Sequence, residues 1–246
     1  MANLTQMKIL EGLDGFLLVD KPVNIPFASV VKTVKRKFGL IKVGHGGSLD
    51  AQASGLMVLL IGDANKFTDQ VMGGDREYEG KMDASYVTNT GDAWGEKLEK
   101  AEVRENSSSS TADDSGFGVD LKEFKGDVFQ TEPQFAAIRK EGTADYEVVD
   151  TGEHKQFLGH VYKIEVKSKG EKGKSEEFDF FLRATKNVLP RALAKDMGAT
   201  LTELRRTKQW KFEVKDAVPF QKILDCEPSE FPSLVKSIGE ALRSAI

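Results

Sequence analysis

The stretch GHGGSLDAQASGLMVLLIG, residues 44 to 62, decides how this chain is read. Its second half, GLMVLLIG over 55–62, is an unbroken apolar run of strand length, which implies a strand buried on both faces. Its first half, GHGGSLDAQAS, has the glycine and small-residue content of a loop, with Asp50 inside it. Taken alone, that aspartate is a turn or cap residue, because short polar side chains bond readily to nearby backbone. Working upstream, Ser29 can cap a helix over 30–38, where Val30, Val31, Val34 and Phe38 fall near helical spacing with lysines opposite. GFLLVD (15–20) reads as a short buried strand stopped by Lys21 and Pro22, since proline cannot donate to a ladder. Working downstream, Asp63 can cap a helix running to about Met72.

Farther along, Tyr78, Gly80, Met82, Ala84 and Tyr86 alternate with polar residues, the pattern of a half-buried strand. TNTGDAWGE (88–96) breaks it. The serine-rich tract around 104–118 is polar and of low complexity, and is expected to be a flexible surface loop. VYKIEV (161–166), EEFDFFLRA (176–184) and WKFEV (210–214) look like strands, and 190–204 looks like a helix opening at Pro190. Strands and helices mixed without regular βαβ repetition imply an α+β fold on a central sheet.

A chain of 246 residues with 39% hydrophobic and 30% charged residues is expected to form one catalytic body. No apolar run has the length of a membrane span, and the N-terminus lacks the layout of a secretion signal or transit peptide, so a cytoplasmic location is the default expectation. The single cysteine, Cys226, rules out an internal disulfide, and His45, His154 and His160 show no metal-ligand spacing, so no metal is expected. The net charge of −4 excludes a protein that coats nucleic acid indiscriminately, because such binding draws on phosphate neutralisation. Any RNA contact must be local. Basic residues do cluster, at Lys32, Lys35, Arg36, Lys37 and Lys42, and again at Arg205, Arg206, Lys208 and Lys211.

Six segments, in order, change the reading of Asp50. GHGGSLDAQASG resembles the GHxGxLDxxAxG segment of the TruB family of pseudouridine synthases, and Asp20-Lys21-Pro22 resembles its DKP. The strand start Arg76-Glu77-Tyr78 is similar to its KxY, and TNTGDAWGE to its TDTxDxxG. FKGDVFQTEPQFAAIRKEG (124–142) and PRALAKDMGATLTELRRT (190–207) match two further family segments. The resemblance spans roughly 15–225. It implies a pseudouridine synthase fold, a central mixed and antiparallel sheet flanked by helices and loops with an RNA-binding cleft, and a catalytic domain over 1–225. The last residues, 226–246, are expected to add one terminal helix over 232–244, and are too few for the PUA domain of many relatives.

The resemblance also implies roles. Asp50 is the nucleophile, Tyr78 the ring that stacks on the target uracil, and Arg191 the cation that pairs with the aspartate. Leu204 is an apolar wall of the pocket, and His45 intrudes into the RNA loop that the target base has left. Lys21, Lys35, Arg36 and Arg205 are the candidate RNA contacts. The implied reaction converts uridine to pseudouridine in the T loop of transfer RNA with no redox cofactor and no metal. The implied partner is the tRNA T-arm, or another structured RNA, met by a monomer away from membranes. The chain departs from the family pattern at Ala51, where a proline is usual, and at Asn187, Val188 and Leu189, where glycine, threonine and tyrosine are usual. Two other functions therefore stand beside the first: an RNA-binding chaperone or assembly factor of the same fold, and a pseudouridine synthase acting on ribosomal RNA.

Overall fold

A computed structural model describes residues 10–98, 119–131, 136–139, 146–149, 156–169 and 176–243. The serine-rich loop expected over 104–118 lies outside the described residues. In chain order the first elements are β1 (Gly15–Lys21), α1 (Phe27–Lys37), β2 (Val43–His45), β3 (Ser54–Ile61), α2 (Thr68–Gly73) and β4 (Arg76–Asp83). Then come β5 (Val87–Thr88), β6 (Lys97–Leu98), β7 (Gly126–Thr131), β8 (Ala136–Arg139), β9 (Tyr146–Val149), β10 (Gln156–Ser168) and β11 (Glu177–Ala184). The chain closes with α3 (Pro190–Asp196), β12 (Thr200–Gln209), β13 (Phe212–Glu213), β14 (Val218–Pro219), α4 (Phe220–Asp225) and α5 (Ile238–Arg243). No helix among the described residues is long and apolar enough to cross a membrane.

The chain divides into two compact units, Met1–Gly74 with Arg205–Ile246, and Asp75–Leu204. The residues after 225 belong to the first unit, and the division falls inside β12, whose first half lies in the second unit and whose second half lies in the first.

In the first unit the strand order is β14–β1–β3–β12, with β2 on β3 and β13 on β12. The β1–β3 pairing is antiparallel, whereas β1–β14 and β3–β12 are parallel. As the apolar run predicts, β3 is buried from Gly55 to Ile61. One of its faces packs Leu56, Val58 and Leu60 with Phe16, Leu18, Ala64, Val71 and Phe212. Each large apolar side chain buried there contributes about 2 kcal/mol.

In the second unit the order is β12–β4–β11–β10–β7. The alternation read in the sequence is the two-sidedness of this sheet: Tyr78, Met82, Phe178, Phe180 and Leu182 are buried, while Glu79, Asp179 and Arg183 between them are exposed.

Four helical expectations fail: α1 starts at Phe27 behind Pro26, so Ser29 lies inside it, and Gly62–Phe67 is a 3-10 turn ahead of the short α2 with no side-chain cap. The helix expected over 190–204 ends at Asp196, because Gly198 takes φ 77° and the Gly198 and Ala199 amides bond back to the Lys195 and Ala194 carbonyls, a left-handed stop. Leu204 and Arg205 therefore sit on a strand. The terminal helix expected over 232–244 is split, because Lys236 is drawn into an antiparallel bridge with Phe16 of β1, leaving a single turn at Phe231–Leu234 and then α5.

Candidate active site

Asp50 lies where β3 changes partners. One edge of β3 pairs with β1 along its length, while the other is taken by β2 at Leu59–Ile61 and by β12 at Ser54–Gly55. The loop 46–53 bridges that change. The Gly46 amide still donates to the Val58 carbonyl of β3 at 2.8 Å, and the buried carbonyls in and around the loop need donors. Buried side chains supply them. The Arg206 guanidinium donates through Nε to the Leu56 carbonyl at 2.7 Å and through Nη1 to the Ser48 carbonyl at 2.9 Å. The Gln209 amide donates to the carbonyls of Gly46 and Val71. The Lys21 ammonium donates to the carbonyls of Pro22 at 2.8 Å, Ile25 at 2.9 Å and Ala51 at 3.2 Å. The Ala51 carbonyl also receives the Asn24 amide at 2.7 Å, from a turn in which Asn24 takes φ 65°. Asp50 is thus flanked on both sides by carbonyls fixed by buried cations. Gly55 follows with φ 103°, where a Cβ would stand 2.3 Å from the Arg206 carbonyl oxygen. Only glycine fits that approach.

The electrostatics of this unit follow from burial. Desolvation lowers the Lys21 pKa to about 8, opposed by attraction to Asp50 and reinforced by repulsion from Arg206. Burial also lowers the His45 pKa, with Arg206 adding repulsion. His45 Nδ1 accepts the Gly47 amide at 3.2 Å, so the neutral ring carries its proton on Nε2. Its ring meets Phe27 edge-on at 5.2 Å. Arg205 makes a two-pronged pair with Asp20, at 3.0 and 2.7 Å, and reaches Ser54 Oγ at 3.4 Å. Lys35 and Arg36 are exposed on α1.

The second unit holds the other residues that the sequence singles out. Tyr78 is buried on β4 opposite Leu182, and Leu204 is buried on β12. Arg191 follows Pro190 at the start of α3 and donates from Nη1 to the Thr90 carbonyl at 3.1 Å and to Asp92 Oδ2 at 3.4 Å. Asp92 is itself held, since its Oδ1 accepts from Thr90 Oγ and the Trp94 amide, both at 2.9 Å. The Thr88 hydroxyl donates to the Asp92 carbonyl at 2.7 Å. Gly91, at φ 75°, lies against the Arg191 carbonyl, where a Cβ would come within 2.4 Å of the oxygen.

Asp92, which holds Arg191, lies within TNTGDAWGE but is not among the residues that the sequence singles out. An acid inside a Thr- and Gly-containing turn segment is the signal the sequence offers. Arg206, one of a run of basic residues, and Lys21, a candidate RNA contact, have buried side chains bonded to backbone carbonyls.

A half-buried carboxylate on a loop braced by buried cations suits nucleophilic attack on an electrophilic carbon. The fold is the pseudouridine synthase fold. A solved Cbf5–Nop10–Gar1 complex superposes with TM-score 0.63 at 19% identity, covering 97% of this chain and 64% of that one. A solved H/ACA RNP bound to a substrate RNA gives the same TM-score and identity, covering 98% of this chain and 62% of that one. This chain spans less than two thirds of those two proteins. Among the sequence relatives, the "tRNA pseudouridine synthase B" of Opitutus terrae is 34% identical, with 95% of each chain covered. That of Methylobacillus flagellatus is 29% identical, over 96% of this chain and 77% of its own. The profile described as "TruB family pseudouridylate synthase (N terminal domain)" matches residues 35–187. The chain belongs to the TruB family of pseudouridylate synthases.

Proposed function

We propose that this protein isomerises uridine to pseudouridine in transfer RNA, at a uridine of the T loop, with Asp50 as nucleophile. The observation that carries the proposal is the bracing of the Asp50 loop by Lys21, Arg206 and Gln209, a large investment of buried polar side chains in the backbone around one carboxylate. Relatives named tRNA pseudouridine synthase B support transfer RNA as the substrate.

In the reaction the bond from the ribose to N1 of uracil breaks, the base turns, and the ribose carbon joins C5. C5 gives up a proton and N1 gains one, so composition and oxidation state are unchanged. A base within folded RNA must first leave its stack, at a cost of a few kcal/mol. Tyr78 offers the extruded uracil an aromatic face and Leu204 an apolar wall. Arg191, oriented by Asp92, supplies positive charge. His45, neutral and edge-on to Phe27, is the group that occupies the vacated place in the RNA loop. Lys35 and Arg36 on α1 take the phosphates. The burial of Lys21 and its bond to the Ala51 carbonyl support a role in steadying the Asp50 loop, and Arg205 meets RNA while keeping its pair with Asp20. The protein acts as a cytoplasmic monomer without metal or organic cofactor.

The test is pseudouridine mapping of unmodified tRNA and of an isolated T-arm hairpin after incubation with purified protein. Modification of one T-loop uridine in both RNAs is the expected result. Modification elsewhere, or none, overturns the proposal.

A further inference from the structure

We infer that Gln130 is a positioning residue for Arg191, acting through a two-point clamp on the backbone of Leu189. The inference rests on the pseudouridine-forming activity proposed above. Gln130 lies on β7 and is almost wholly buried, at 1% exposure. Its amide meets both backbone polar groups of one residue: Oε1 accepts the Leu189 amide at 2.8 Å, and Nε2 donates to the Leu189 carbonyl at 3.2 Å. A side chain thus imitates the neighbouring strand that the backbone at Leu189 lacks.

Leu189 is the residue from which α3 starts. It is extended, at φ −97° and ψ 110°, and no side chain caps the helix there. Its carbonyl accepts the first helical bond, from the Leu193 amide at 3.0 Å, so Gln130 holds the atom on which the helix begins. Pro190 then fixes one torsion and Arg191 follows. The segment leading in is tied to β10. Thr185 and His160 exchange two bonds of 2.9 Å, and the Asn187 side-chain Nδ2 donates to the Leu158 carbonyl at 3.2 Å. Val188 fills the space over Gly159, where a Cβ would come within 2.5 Å of its methyl group. The stretch where this chain departs furthest from its family pattern is therefore anchored residue by residue. Gln130 is the last anchor before Arg191, and a misplacement of about 1 Å in a positioned group costs about a hundredfold in rate.

The experiment uses the full chain and unmodified tRNA, with two variants. Gln130→Met keeps the shape and loses both bonds. We expect its kcat to fall by about tenfold or more while its affinity for tRNA stays within about twofold. Hydrogen exchange at the Leu189 amide should quicken while that at Leu201 does not. Gln130→Glu is the conservative variant. A protonated carboxyl accepts through one oxygen and donates through the other, restoring both bonds, whereas the ionised form sets a charge against the Leu189 carbonyl. Its turnover relative to wild type should therefore rise as pH falls from about 8 to about 5.5. Wild-type kcat in Gln130→Met, or a Gln130→Glu profile parallel to wild type, overturns the inference. If Gln130→Met does not fold, the Gln130→Glu profile decides. A wild type that forms no pseudouridine overturns the proposed activity instead, and Leu189 exchange then decides the clamp.

Discussion

Lys21→Met removes the ammonium beneath the Asp50 loop and nearly preserves the side-chain volume. At neutral pH two contributions oppose each other. The carbonyls of Pro22 and Ile25 lose a donor, at about 1–3 kcal/mol each, while Ala51 keeps the Asn24 amide. Against that loss stands release from burying a charge, which has lowered the Lys21 pKa from 10.5 to about 8. The pH dependence separates the two. Between these values the unfolded chain holds a proton that the folded chain has lost, so the Lys21 contribution to stability grows as pH rises and is lost as pH falls through 8. At about 1.4 kcal/mol per pH unit, wild type should gain about 2–3 kcal/mol on the variant between about pH 7 and pH 10. Urea unfolding of both proteins across that range, followed by tryptophan fluorescence, measures the difference, and groups that titrate in both proteins cancel. Parallel profiles would refute a buried, titrating Lys21.

Three further outcomes are expected. Asp92→Ala removes the carboxylate that accepts from the Arg191 guanidinium, the Thr90 hydroxyl and the Trp94 amide, and should destabilise the protein by about 3 kcal/mol in urea unfolding and lower kcat. Unchanged stability and turnover would remove Asp92 from the site. Gly55→Ala forces a side chain into a left-handed backbone against Arg206 and should cost at least about 2 kcal/mol by thermal unfolding. A neutral result would contradict the β3–β12 approach. Reversing Lys35 and Arg36 to Glu should weaken tRNA binding and flatten the plot of log affinity against log salt by about 1–2 in slope. An unchanged slope rules out that face of α1.

The parts of this fold legible in the sequence are those written in local periodicity. GLMVLLI is a strand because nothing in it tolerates water, and Tyr78 to Met82 alternates because one face of its sheet is solvated. The failures are long-range. Nothing near 200 distinguishes a helix from a strand until Gly198 ends α3 and β12 finds β3 and β4 beside it. Lys236 leaves its expected helix for a partner some 220 residues earlier in the chain, Phe16. The same holds for the candidate site. Asp50, Tyr78 and Arg191 were legible through motif resemblance, but their supports were not. Arg206 and Lys21 are charged residues by type, and turn inward onto backbone carbonyls in and around the Asp50 loop. Asp92 and Gln130 act on backbone and side chains about 100 and 59 residues away, a relation no local pattern records.

The central claim is that Asp50 performs the chemistry. Its most direct measurement compares wild type with Asp50→Asn, which keeps the size and shape of the side chain and removes its charge. Pseudouridine formation in tRNA and tRNA affinity are measured on the same preparations. The expected result is T-loop pseudouridine with wild type and none with Asp50→Asn, at affinities within about twofold of each other. Pseudouridine formed by Asp50→Asn at the wild-type rate would contradict the assignment.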